Sequence, residues 1–370
     1  MRKLDRNTEV FCALLRAGIW ETDVRLLPYG EIDLSVVQQL AEEQSVIGPI
    51  AIGLEHVLDI KVPKKDVLQI IGQTLQLEER NRAMNYFIGV IVDKLRDAGI
   101  FTTLVKGQGV AQCYERPLWR ACGDVDFLLD EENYAKARAF LIPLATSAEV
   151  EEKGRLHQGM TIDPWIVELH GTMHTGISKR IDNTIDEVQS DVVWYGGVRT
   201  WYNDGVDVFL PNPDNDTIII FTHFIDHFYV GGIGLRQIID WCRLLWTYRD
   251  TIDNDRLGKR IKAMGLLSEW RAFATLAVEY LGMPVEAMPL YSTSRRYLRK
   301  AHLIWRLILK TGNFGHNKDE SYRSRYPRMV GKVITFFRRL AEFIRITVIF
   351  PNNAPRFFLT YVGRRLNATL

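Results

Sequence analysis

The chain has 370 residues, 47% of them hydrophobic and 25% charged, which excludes a disordered protein and suffices for one large or two to three ordinary domains. Its net charge of +2 conceals a segregation: residues 291–370 hold 17 Lys and Arg against 3 Asp and Glu, whereas residues 1–290 hold 30 against 42. Cys12, Cys113, Cys122 and Cys242 are scattered without a C-x-x-C pair, Asp5 and Glu9 interrupt any secretory leader, and no apolar run approaches the roughly 20 residues of a membrane span, so the expectation is a protein of the reducing cytoplasm, at most peripheral to a membrane.

Residues 1–77 read as a helical region, with FCALLRAGIW, VVQQLAEEQS after Ser35 and KKDVLQIIGQTLQL after Pro63 carrying apolar residues at spacings of three and four. A longer amphipathic helix is expected over 78–97, closed by Gly99. There follow a strand (100–105), a KGQG turn (106–109), a short helix (110–115), a loop around Pro117, the strand DVDFLLD (124–130) and the helix EENYAKARAFLIPL. Two more strands are expected near 160–163 and 165–173, separated by a turn at Asp163-Pro164, and further strands near 192–196 and 206–210 would extend the same sheet. From Pro213 the pattern is helical to about 312, a polar connector covers 313–330, and residues 331–370 form a basic amphipathic tail. The expected fold is α+β, a small mixed sheet over 78–212 flanked by helical regions over 1–77 and 213–330.

The chemistry begins with GDVDFLL. Side chains two apart in a strand share a face, so Asp124 and Asp126 project together while Val125, Phe127 and Leu129 face the core. Paired carboxylates of this kind suit a divalent cation with a taste for hard oxygen, Mg²⁺ above all, although a D-x-D by itself is common on exposed strands. Upstream, Gly107 and Gly109 in KGQG would let backbone N–H groups approach a phosphate, with Lys106 as a cation beside it; an isolated glycine pair is otherwise an ordinary turn. Apolar Ile166 and Val167 lead into Glu168, which a neighbouring antiparallel strand would set beside the aspartates, giving the three carboxylates that two-metal phosphoryl transfer uses.

Together the run LVKGQGVAQCYERPLWRACGDVDFLLD and the later IVELHGTMH resemble an uncharacterised bacterial nucleotidyltransferase family of the DNA polymerase β superfamily. Lys106, Gly107, Tyr114, Pro117, Arg120, Asp124, Asp126, Glu168 and His170 fall on that family's pattern of K-G, Tyr, Pro, Arg, D-x-D and E-L-H. The resemblance implies transfer of a nucleoside monophosphate from an NTP to an acceptor, with two Mg²⁺ ions held by Asp124, Asp126 and Glu168. It also implies a phosphate side made of Lys106, Gly107, Gln108, Gly109 and Arg120, with His170 in support. Polymerase β-like enzymes usually place Gly-Ser or Gly-Gly closer to the D-x-D; here Gly107-Gln108 stands instead, and Lys106 or Gln108 is expected to replace the serine.

Other features invite plainer readings. Glu168, His170 and His174, with His157 upstream, suggest a zinc site, but the strand would have to run on past Gly171 to bring them together, so His170 is expected to orient Glu168 or a phosphate, or to be a structural histidine. His223 and His227 read as packed helix residues, Arg236 and Asp240 as an i,i+4 ion pair, and Trp241, Trp246, Trp270 and Trp305 as core. Arg120 is expected either to grip a phosphate or to pair with an acid. In the tail, Arg338, Arg339 and Arg345 alternate with Phe336, Phe337, Leu340, Phe343 and Ile344, which suits an anionic membrane surface or docking on the acidic body better than nucleic acid. A non-catalytic nucleotide-binding protein and a membrane-peripheral interaction protein are the rival readings of the whole.

Overall fold

The computed structural model describes residues 5–151, 156–313, 325 and 328–358. Helices α1 (Arg6–Trp20), α2 (Leu34–Glu43) and α3 (Ile47–Glu55) precede a 34-residue helix, α4 (Lys64–Asp97). The helices expected over 64–77 and 78–97 are therefore one, and the boundary drawn at 77/78 falls inside it. Nothing in QTLQLEERN breaks a helix, and the run of good helix formers carries the chain through.

Strand β1 (Thr103–Val105), the short helix α5 (Gly107–Ala111), β2 (Asp124–Leu128), α6 (Glu131–Leu141), β3 (Ser147–Ala148), β4 (His157–Ile162) and β5 (Trp165–His170) follow. They form a five-stranded mixed sheet of order β1-β2-β5-β4-β3, in which β2 and β5 are parallel and the other pairs antiparallel. The fold is α+β, as expected. The expected antiparallel approach of Glu168 to the aspartates is corrected: α6 returns the chain so that β3 runs in the direction of β2, and the two antiparallel steps β3–β4 and β4–β5, the latter through the turn at Asp163-Pro164, leave β5 parallel to β2.

Helix α7 (Lys179–Trp194) occupies most of the segment 192–196 that was expected as a strand. Ser178 caps its N-terminus, and Ile181, Ile185, Val188 and Val192 put a buried stripe at helical spacing, so the β-branched end of the segment follows the helix already begun. Strands β6 (Val198–Asn203) and β7 (Val206–Pro211) then make a separate two-stranded sheet rather than an extension of the first.

The rest is helical: α8 (Pro213–Val230), α9 (Leu235–Thr247), α10 (Asn254–Met264), α11 (Leu267–Leu281), α12 (Arg295–Thr311) and α13 (Arg328–Ile349). Most of the connector expected over 313–330 and the chain beyond 358 lie outside the described residues. No helix among the described residues is long and apolar enough to cross a membrane, and the four cysteines are buried free thiols.

Two apolar cores result among the described residues. One packs Met84, Ile88, Val92 and Leu95 of α4 with α6, the hairpin β6–β7 and Val125, Phe127, Val167 and Leu169 of the sheet. The other joins α1–α3 to α7–α12 and the end of α13, with Trp241, Trp270 and Trp305 fully buried in it. The helices at the two ends of the chain thus share a single core. Where α1 crosses α3 the backbones nearly touch: a Cβ on Gly18 would stand 1.7 Å from the Pro49 carbonyl oxygen, and one on Gly53 would stand 2.1 Å from that of Leu14.

Candidate active site

Alternation along β2 and β5 sorts their side chains. Val125, Phe127, Val167 and Leu169 enter the sheet core, while Asp124, Asp126, Glu168 and His170 project from the opposite face. The parallel register sets Asp126 beside Glu168, and the β4–β5 register sets His157 opposite His170. Helices α8 and α9 cover this face. Between them and the sheet lies a cleft with two lobes, one of ≈ 50 Å³ bordered by Asp124, Asp126, Arg236 and Asp240, the other of ≈ 250 Å³ bordered by Glu168, His157, His170 and His227; Lys106 and His223 reach both. A larger cavity, ≈ 710 Å³, lies elsewhere, between the start of α7, α11 and residues 348–356, and contains none of the carboxylates of β2 and β5.

Charge is tightly arranged. Lys106 Nζ lies 2.6 Å from Asp126 Oδ1, and His170 Nε2 lies 2.8 Å from the same oxygen. Burial would raise Asp126, but Lys106 and His170 outweigh it and hold the carboxyl well below the ordinary range. The charge of Asp126 pushes Asp124 up to about 6, with burial adding and Lys106 opposing. A hydrogen bond with His157, 3.3 Å away, lowers Glu168 against the opposing effects of burial and Asp126. Burial lowers His170 and His223 and brings His227 to about 4, which favours the neutral form of these three imidazoles.

The structure thus brings together Asp124, Asp126, Glu168, Lys106, Gly107 and His170. Gly107 lines the smaller lobe, and Lys106 is held at φ +58°, a left-handed backbone that directs the turn toward Asp126. Gln108 does not join them. Its amide is buried and donates to Asn81 Oδ1 at 2.9 Å, which anchors the turn to α4, and of the two residues expected to replace the missing serine only Lys106 faces the cleft. Gly109 packs away from the cleft, with Leu210 2.9 Å from where its Cβ would be.

Arg120 borders the smaller lobe but is committed to Asp240, with Nη2–Oδ2 at 2.6 Å and Nε–Oδ1 at 3.0 Å; Tyr114 donates to the same carboxylate at 2.7 Å. This corrects the expected local pair: Asp240 is claimed by Arg120, and Arg236 donates to the Ala121 carbonyl. His174 turns away to Asp186, 2.5 Å distant, whereas His157 closes on Glu168. The structure therefore assembles His157, not His174, with Glu168 and His170. Sequence periodicity could not show this, because His157 reaches the group through the register of the β4–β5 hairpin.

Among known proteins, a family model described as uncharacterised nucleotidyltransferase matches residues 30–282. No curated protein and no solved structure matches the chain.

Proposed function

The chain belongs to the uncharacterised nucleotidyltransferase family, and from that membership we propose that it transfers a nucleoside monophosphate from an NTP to an acceptor hydroxyl or phosphate, with Mg²⁺ as cofactor. The observation that carries the reading is the convergence of Asp124, Asp126 and Glu168 on one face of two adjacent strands, inside a covered cleft. These residues fit the ion: Asp124 and Asp126 offer hard oxygen ligands two apart on one strand, and the repulsion that lifts Asp124 is the kind a dication relieves. Mg²⁺, when bound there, supplies neutralisation of phosphate charge and acidification of the attacking group.

In the reaction the acceptor oxygen bonds to the α-phosphorus, the bond to the bridging oxygen breaks, and pyrophosphate leaves. Lys106, fixed by Asp126, places a permanent cation at the junction of the two lobes, where it meets a phosphate oxygen. Arg236 lines the smaller lobe and adds positive charge to it. Glu168, open to the larger lobe, is positioned either to accept the acceptor's proton or to hold an ion that acidifies it. Helices α8 and α9 wall the cleft on the side facing the sheet.

The test is incubation with each α-labelled NTP, Mg²⁺ and a fractionated cell extract as acceptor source. Label should pass to an acceptor with wild type and not with Asp124→Asn or Asp126→Asn; equal labelling by all three proteins refutes the reading.

A second role, contact with an anionic membrane surface, is favoured by α13. Val330, Val333, Phe337, Ile344 and Val348 are exposed along one side of that helix, with Arg338 and Arg345 on it as well, while its C-terminal end is anchored to the body by buried Ile346, Ile349 and Phe350.

A further inference from the structure

We propose that His157, Glu168 and His170 form a binding position for Zn²⁺, separate from the aspartate pair. The three side chains come from two antiparallel neighbours, His157 directly opposite His170 and Glu168 two residues before it on the same face. Glu168 Oε2 lies 3.3 Å from His157 Nε2 and 3.5 Å from His170 Nε2, and the ligand atoms of all three lie within 4.8 Å of one another. Bonds of about 2.05 Å at tetrahedral angles put ligand atoms about 3.4 Å apart, so the two Glu168 edges suit zinc, and the His157–His170 edge, within 4.8 Å, closes by rotation of the imidazoles.

The ligand chemistry points the same way. Two imidazoles and one carboxylate select a borderline-soft ion, whereas Mg²⁺ favours all-oxygen surroundings such as Asp124 and Asp126. Among the described residues the group takes in neither aspartate. His170 Nε2 would exchange its contact with Asp126 for the ion, and Lys106 remains on Asp126 to hold that charge.

Three protein ligands leave a fourth position open. All three side chains line the ≈ 250 Å³ lobe, so the open position faces the space where an acceptor would enter. Binding stands on ligand geometry alone; its use, lowering the pKa of the acceptor hydroxyl, rests on the transfer reading above.

The experiment uses the full chain freed of metal by chelation and titrated with Zn²⁺ calorimetrically, and with Co²⁺ by visible absorption. One equivalent should bind with Mg²⁺ in excess, and Co²⁺ should show the intense bands of a tetrahedral site. His157→Ala and His170→Ala should each weaken binding by about 100-fold or more, while Asp124→Asn leaves it unchanged. His157→Cys should restore binding and add a thiolate-to-cobalt charge-transfer band, which a merely structural His157 would not produce. Absence of stoichiometric binding, displacement by Mg²⁺, or undiminished binding in folded His157→Ala would overturn the site. Zinc binding without nucleotide transfer would count against the transfer reading alone, and transfer without zinc binding against the zinc site alone.

Discussion

Arg120 and Asp240 meet in the interior across 120 residues of chain, joined by two hydrogen bonds of 2.6 and 3.0 Å. The pair ties the loop that enters β2 to helix α9, and so fixes the distance between the two walls of the cleft. Breaking it from one side strands a buried charge. Arg120→Ala or Asp240→Ala should each cost about 3–5 kcal/mol, whereas Arg120→Met with Asp240→Leu should recover much of the loss. Urea denaturation of the four proteins measures this, and a cost below about 1 kcal/mol for both single variants would mean that the pair is solvated.

The two aspartates should behave oppositely toward stability. Asp126 satisfies Lys106 and His170 inside the protein, so Asp126→Asn should destabilise by about 3 kcal/mol as it leaves Lys106 buried without its counter-charge. Asp124 is the repelled member of the pair, and Asp124→Asn should raise the stability of the metal-free protein at pH 8 by about 2 kcal/mol. Thermal melts in chelator would decide it, and equal melting-temperature shifts of one sign would reject this division.

The raised Asp124 also sets a pH dependence. Its folded value of about 6 stands above the ordinary carboxylate value, so the folded state holds the extra proton between the two. Metal-free stability from this group is therefore greatest at low pH and declines as pH rises through 6, while Mg²⁺ affinity does the reverse and falls as pH drops through 6. Mg²⁺ titrations from pH 5 to 8 should show the loss in wild type, and a flat profile would place Asp124 outside the ion's reach.

Lys106→Ala should weaken NTP binding by about tenfold or more, and Lys106→Arg by less, since a retained cation still meets the phosphates. Calorimetry in Mg²⁺ provides the comparison. If neither variant loses affinity, Lys106 serves only to neutralise Asp126.

If α13 meets anionic bilayers, full-length protein should co-sediment with anionic but not neutral vesicles at low salt, and each basic residue at the surface should contribute about 1 kcal/mol. Phe337→Ser with Ile344→Ser should abolish this binding while leaving the docked end, around Phe350 and Asn353, in place. Vesicle binding that survives both substitutions and high salt would reject α13 as the contact.

The part of the site that sequence made legible is the part with a short period. D-x-D alternation in an apolar strand predicts that Asp124 and Asp126 share a face, and they do. Glu168 was recognisable as their companion, but the direction of its strand was not, because it depends on the α6 crossover and the two antiparallel steps through β3 and β4. Arg120 with Asp240 and His157 with Glu168 depend on tertiary packing and hairpin register, which no local spacing encodes. The helix at 192–194 shows the converse: β-branched residues favoured a strand locally, and the buried face of α7 decided otherwise.

Helix α4 runs about 51 Å at 1.5 Å per residue, with Ile70 in the helical core and Met84 to Leu95 in the sheet core. A rod embedded at both ends leaves no hinge between the bodies it joins, so the halves of the molecule cannot melt independently without breaking it. Calorimetry should accordingly record one unfolding transition, with calorimetric and van't Hoff enthalpies in agreement.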